Sequence, residues 1–205
     1  MRQVSMPYPV RMFSPRFWIC EMAVTEKVIY LTFDDGPIPE ATPEILAILR
    51  SRNAKATFFM VGDNARKHPD ILKLVVEDGH PLGNHTFSHL NGWKTPPGGY
   101  VENVERCREY SQTNLFRPPY GSFGLSQYLL LRKEYRFILW SVLTWDFSHD
   151  TTPEQCFRYA IDNSRPGSVV VFHDSLKSIE NVRYALPRFL DEFLDKGYRF
   201  EGIRL

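Results

Sequence analysis

Short apolar runs rich in β-branched and aromatic residues alternate along this chain with stretches of helical pattern, and that alternation restricts the folds open to it. VIYLTF (28–33) reads as a first strand, KATFFMVG (55–62) as a second and PLGN (81–84) as a short third, and a fourth leads into FRPPYG (116–121). RFILWSV (136–142), SVVVF (168–172) and YRFEGI (198–203) follow as strands. Helical stretches lie between them, at 42–53, 69–78, 100–110, 125–133, 152–161 and 181–196. Two of these begin Thr-Pro, at Thr42-Pro43 and Thr152-Pro153. There the threonine is expected to cap the helix, and a proline at the first helical position forfeits no hydrogen bond. About seven strands separated by helices predict a parallel α/β sheet or barrel. A chain of 205 residues, 43% of them hydrophobic, suits a single core. We divide it into an irregular, proline-rich lead-in packed on the barrel (1–25) and one main domain (26–205).

The charge balance excludes several partner classes. With 25 Lys+Arg against 24 Asp+Glu, the net charge of +1 provides no electrostatic footprint for nucleic acid or an anionic membrane. No run of about 18 apolar residues occurs, so membrane insertion is not expected. MRQVSMPYPVRMFSPRFW, at the start, lacks the continuous apolar region of a signal peptide, and a cytoplasmic location is the expectation. Cys20, Cys107 and Cys156 are far apart and form neither a disulfide framework nor a thiolate zinc site; each is expected to be a buried small side chain.

In parallel α/β architectures ligands bind at the carboxyl ends of the strands, where the outgoing loops converge. Those ends carry Asp34-Asp35, Asn84-His85 followed by His89, Arg117 with Tyr120, Asp146, and His173-Asp174. HTFSH (85–89) spaces two histidines so that one helical turn could bring both to a single ion, although two histidines in a polar loop fit the spacing equally. TFDDGP (32–37) sets two carboxylates side by side before a forced turn. That costs free energy unless their charge is neutralised or separated, as it would be with one on a cation and its neighbour facing the attacking water. A glycosidase reading of the two acids leaves HxxxH unexplained.

In this order and at these separations, TFDDGP (32–37), HTFSH (85–89), RPPYG (117–121), the WSVLTWDF region (140–147) and VFH (171–173) closely resemble the motifs of the polysaccharide deacetylase family. This is the NodB-homology or carbohydrate esterase family 4 domain, and the resemblance runs from about Val28 to the C-terminus. It implies a distorted, TIM-barrel-like (β/α) barrel. It also implies a metal-dependent hydrolase that removes N-acetyl, or O-acetyl, groups from a carbohydrate such as an N-acetylglucosamine-containing glycan or peptidoglycan. Carried over position by position, Asp35, His85 and His89 would hold a divalent metal, zinc first, with cobalt or nickel as alternatives. Asp34 would be the base that deprotonates metal-activated water and His173 the acid that protonates the leaving amine. Arg117 would stand near the base, Pro119 and Tyr120 would wall the groove with the Tyr120 N–H at the oxyanion, and Asp146 would orient His173. Trp145 would add an apolar wall for the acetyl methyl or a sugar face.

The chain departs from the family pattern around Asp146. Many members carry an Asp three residues earlier and a Trp just after, where this chain has Leu143 and Phe147. Two other readings are carried forward: an amidohydrolase of a small amide such as an acetylpolyamine or cyclic imide, and a catalytically silent carbohydrate-binding protein, against which the intact Asp34 and His173 argue. Trp93, Lys94 and Tyr100 lie in a loop that could line the groove. His80 is expected to be buried or capping. The oligomeric state is not encoded in any of these features.

Overall fold

A computed structural model describes residues 3–5 and 17–205, so most of the early lead-in (1–2 and 6–16) lies outside the described residues. Eight strands form one parallel sheet: β1 (Val28–Asp34), β2 (Thr57–Met60), β3 (Leu82–Asn84), β4 (Leu115–Phe116), β5 (Arg136–Phe137), β6 (Val142–Leu143), β7 (Val169–His173) and β8 (Arg199–Glu201). Their order is β5-β4-β3-β2-β1-β7-β6, with β8 paired to the first half of β1. The helices are α1 (Thr42–Ser51), α2 (Gly62–Lys67), α3 (Pro69–Glu77), α4 (Pro97–Ser111), α5 (Leu125–Leu131), α6 (Pro153–Asn163) and α7 (Ile179–Asp195).

Period-two patterning decides which side of the sheet each residue faces. Ile29, Leu31 and Phe33 of β1, with Val170 and Phe172 of β7, join the large core against the helices, where Ile45, Leu49, Leu186 and Phe189 are fully buried. The alternate residues turn inward. Phe59, Leu115, Ile138 and Val169 form a smaller interior cluster, above which the polar side chains of Thr32 and Asp34 meet Arg117. The outermost strands β5 and β6 are joined only by residues 138–141, so the sheet must curl until its two edges approach, as in a distorted (β/α) barrel. The described part of the lead-in lies along this seam: Ile19 N–H donates to Phe137 O (2.8 Å), Leu139 N–H to Ile19 O (2.7 Å) and Leu143 N–H to Val4 O (2.8 Å).

Several expectations are corrected. RFILWSV is not one strand; it is split between β5 and β6 on opposite edges, because continuous hydrophobicity there reflects barrel closure and not one ladder. A helix at 62–67, too short to show a period, went unpredicted. Thr42 does not cap α1: its hydroxyl accepts from Ile38 N–H (2.8 Å) and donates to Asp174 (2.6 Å). Thr152 does cap α6, accepting from Gln155 N–H. Tyr100, a residue of α4, is fully buried and lines no groove, whereas Trp93 is 75% exposed. His80 is buried, its Nδ1 accepting from Ala56 N–H, and burial pushes its pKa down to about 4. The three cysteines are buried, and none forms a disulfide among the described residues. Among the described residues, no helix is long and apolar enough to cross a membrane.

The close approach of β3 to β2 depends on Gly83. A Cβ built there would lie 2.2 Å from Cδ1 of the fully buried Phe59. Gly83→Ala should therefore lower the unfolding free energy by about 1–3 kcal/mol through overpacking, measured by urea denaturation.

Candidate active site

The strand registers bring the functional residues to one end of the barrel. Asp34 pairs with His173 across β1 and β7 and with Phe59 across β1 and β2; Met60 pairs with Asn84, and Asn84 with Phe116. Asp34, His173, Asn84-His85 and Phe116-Arg117 are thus level with one another at the carboxyl ends of β1, β7, β3 and β4.

Arg117 occupies the barrel mouth with no exposed surface. Its Nη1 donates to Asp34 Oδ1 (2.6 Å) and Thr32 Oγ1 (2.8 Å), its Nε to Ile138 O (3.1 Å) and its Nη2 to Leu139 O (2.9 Å). The guanidinium lies 4.1 Å from the centre of the Phe59 ring. Burial lowers its pKa from the ordinary arginine value, a shift the Asp34 carboxylate opposes.

Asp35, His85 and His89 converge beside this pair, with one ligand-capable atom from each inside a 4.8 Å span. Asp35 Oδ1 lies 3.2 Å from His89 Nε2 and 3.8 Å from His85 Nε2. The two histidines do not share a helical turn. They sit in a loop with Thr86 and His89 at φ 61° and 54°, pinned by Asn84 Oδ1 accepting from Thr86 N–H and Asn103 Oδ1 accepting from Phe87 and Ser88 N–H.

The donor chemistry of this cluster tests whether a cation fits. His85 Nδ1 is 2.7 Å from Arg117 O, which can only accept, so Nδ1 carries the proton and Nε2 turns a lone pair toward Asp35. Burial pushes the His85 pKa down to about 4, which keeps the ring neutral at pH 7. A lone pair facing a carboxylate is repulsive unless a cation lies between them. His89 Nδ1 meets the Tyr120 hydroxyl (3.1 Å), leaving Nε2 for the same cation. For Asp35, burial raises the carboxyl pKa, but the hydrogen bond at His89 and the charge of His173 outweigh it and hold it well below the usual carboxylate range. The donor set fits a divalent metal.

His173 faces this cluster from β7. Asp146 is fully buried and grips it twice, Oδ2 accepting the backbone N–H (2.6 Å) and Oδ1 the Nδ1 proton (2.7 Å). Burial alone would lower the His173 pKa. The charge and hydrogen bond of Asp146, then the charges of Asp35 and Asp34, override it and raise the pKa to about 10. The absence of an acid at Leu143 therefore leaves His173 with a carboxylate partner. Phe147 meets the His173 ring edge-on, with centroids 4.8 Å apart, and lies tilted at 5.4 Å against Trp145, whose Nε1–H donates to Gln3 O. Tyr120, 64% exposed at φ 60°, covers His89 with its ring, while Pro119 is buried in the turn behind it.

Several contributors were not singled out from the sequence. Asn181 donates to Asp146 O (2.7 Å), Asn64 donates to Asp35 O (2.8 Å), and Asp174 holds the turn after Asp35. Only Asp174 left a sequence signal, as an acid directly after a strand-end histidine.

Fold and site together define a (β/α)-barrel protein with a candidate three-donor cation site at the carboxyl ends of its strands. The chain belongs to the polysaccharide deacetylase family, whose model matches residues 21–135. A peptidoglycan-N-acetylglucosamine deacetylase of Bacillus cereus is 31% identical over 191 residues, covering 88% of each chain. A chitooligosaccharide deacetylase of Azorhizobium caulinodans is 37% identical over 155 residues, covering 71% of this chain and 73% of the relative. Among solved structures, a peptidoglycan N-acetylglucosamine deacetylase in complex with an N-hydroxybenzamide derivative superposes with a TM-score of 0.86 at 30% identity, covering 95% of this chain and 94% of that one.

Removing one member of the buried ion pair leaves the other without compensation. Arg117→Met should cost about 3–5 kcal/mol of stability in urea unfolding, and adding Asp34→Asn to it should recover part of that loss, because no buried charge then remains unpaired.

Proposed function

We propose that this protein is a divalent-metal-dependent hydrolase that removes N-acetyl groups from an N-acetylglucosamine-containing glycan of the peptidoglycan type. The observation that carries this reading is the pair of imidazole Nε2 atoms directed at one Asp35 oxygen, beside Asp34 and the Asp146–His173 pair. The activities named for the relatives support the substrate class. Asp35, His85 and His89 would hold the ion, zinc by preference, with cobalt and nickel suited to the same donors. When bound, such an ion acts as a Lewis acid that polarises a carbonyl oxygen and makes water a competent nucleophile near neutral pH.

The side chains divide the proton transfers. Arg117 fixes Asp34 Oδ1, leaving Oδ2 to take a proton from the water that adds to the amide carbon. The Tyr120 N–H, presented by a left-handed turn, donates to the developing oxyanion. His173 is protonated at neutral pH and held through Nδ1, so its Nε2 proton passes to the amide nitrogen as the C–N bond breaks. Acetate and a free amine result. Phe147 and Trp145 form the apolar wall against which the acetyl methyl rests.

Acetate release from N-acetylglucosamine oligomers, peptidoglycan and acetylpolyamines, by chelated protein and by zinc-, cobalt- or nickel-loaded protein, tests the reading. Release should require metal, favour the glycans and fall at least about 100-fold in Asp34→Asn. No release from any substrate at full metal occupancy would overturn it. The alkaline limb of the pH profile reports loss of the His173 proton. Asp146→Asn removes the strongest influence that raises this pKa, so the limb should move to lower pH in that variant.

A further inference from the structure

Asp174 immediately follows His173, is 1% exposed, and has no part in the proton transfers. Its contacts bracket one residue. The Asp174 backbone N–H donates to Asp34 O (3.1 Å), on one side of Asp35. Its Oδ1 accepts from Gly36 N–H (2.9 Å), on the other side. Its Oδ2 accepts from the Thr42 hydroxyl (2.6 Å), whose oxygen in turn accepts from Ile38 N–H (2.8 Å) further along the same turn. Between these grips Asp35 is held at φ 88°, a left-handed conformation uncommon for a residue with a side chain.

Two further features show that this carboxylate is built into the turn. A Cβ on Gly36 would lie 1.8 Å from Asp174 Oδ2, so the carboxylate fills the space a side chain would need. Among the described residues no Lys, Arg or His side chain forms an ion pair with Asp174, and burial pushes its carboxyl pKa up to about 8, so an acid here is a costly way to hold a loop. A neutral residue could pack there; the two oxygens are what the turn uses.

We propose that Asp174 is a positioning residue for Asp35: by gripping the backbone on both sides it aims the Asp35 carboxylate between His85 and His89 and thereby sets metal affinity. The proposal rests on the metal reading of that cluster. Asp174→Asn keeps the shape and one acceptor oxygen, but presents an amide N–H₂ to the Thr42 hydroxyl, so the turn can relax and Asp35 can leave its position. Partners that orient metal ligands through hydrogen bonds are worth about 10–100-fold in affinity, and Asp174→Asn should weaken zinc and cobalt binding by that factor.

The test is competition of the full chain against a chromogenic chelator for zinc and cobalt, with the cobalt absorption spectrum recorded alongside. Wild type, Asp174→Asn, Thr42→Val and Thr42→Ser are compared. Asp174→Asn should bind about 10–100-fold more weakly with an altered cobalt spectrum, Thr42→Val should shift in the same direction, and Thr42→Ser, which keeps the hydroxyl, should match wild type. Folded Asp174→Asn with wild-type affinity and spectrum would overturn the proposal. Should that variant not fold, equal affinities for Thr42→Val and Thr42→Ser would overturn it instead. A wild type that binds neither ion, or binds them unchanged after His85→Ala, would overturn the metal reading itself and the proposal with it.

Discussion

The buried contact between Arg117 and Asp34 is the interaction on which the rest of the site depends. The guanidinium reaches from the end of β4 to β1, and also ties down Ile138 O and Leu139 O in the segment that closes the barrel. The same residue's carbonyl accepts the His85 Nδ1 proton and so decides which nitrogen of that ring faces Asp35. One residue therefore fixes the position of the candidate base, the tautomer of a candidate metal ligand and the seam of the barrel. A buried ion pair is a poor source of net stability, because desolvation of both charges offsets most of their attraction. What the pair provides here is placement.

Backbone strain is concentrated around the same site. Asp35, Thr86, His89, Tyr120 and Trp145 all have positive φ, each in a loop leaving the carboxyl end of a strand. Such conformations cost about 1–3 kcal/mol apiece and persist only where neighbours over-determine them. The neighbours are visible: Asp174, Thr42 and Asn64 around Asp35, and Asn84 and Asn103 around the histidine loop. The large apolar core behind β1 and β7 supplies the rigidity against which these loops are held. Catalytic-type groups thus converge because short hydrogen-bonding side chains, themselves buried, leave the turns no alternative arrangement.

Much of this was legible in the sequence, for identifiable reasons. Strands such as VIYLTF and SVVVF are continuous apolar runs of β-branched and aromatic residues, and polar residues directly after them had to lie at the barrel mouth. HTFSH alone fitted a polar loop equally well, and it became readable only beside the adjacent acids of TFDDGP and the order of the family motifs. What was hidden depended on contacts between distant residues. RFILWSV looks like one strand because hydrophobicity cannot distinguish a ladder from a chain crossing between two sheet edges. Thr42 has the pattern of a helix cap, yet its hydroxyl is drawn to a carboxylate on β7's far side in sequence, at Asp174. Phe147, where many family members carry Trp, still meets the His173 ring, because an aromatic edge of either kind fills that space.

The account turns on one claim: Asp35, His85 and His89 form a cradle for a single divalent ion, facing Asp34 and His173. Anomalous diffraction from crystals grown with zinc, recorded on both sides of the zinc absorption edge, tests that claim without reference to turnover. The account predicts one strong anomalous peak bonded to the Asp35 carboxylate and to Nε2 of both histidines, with His85 Nδ1 still on Arg117 O. A peak elsewhere on the molecule, or a His85 ring turned away from Asp35 with the cradle holding no metal, would contradict it.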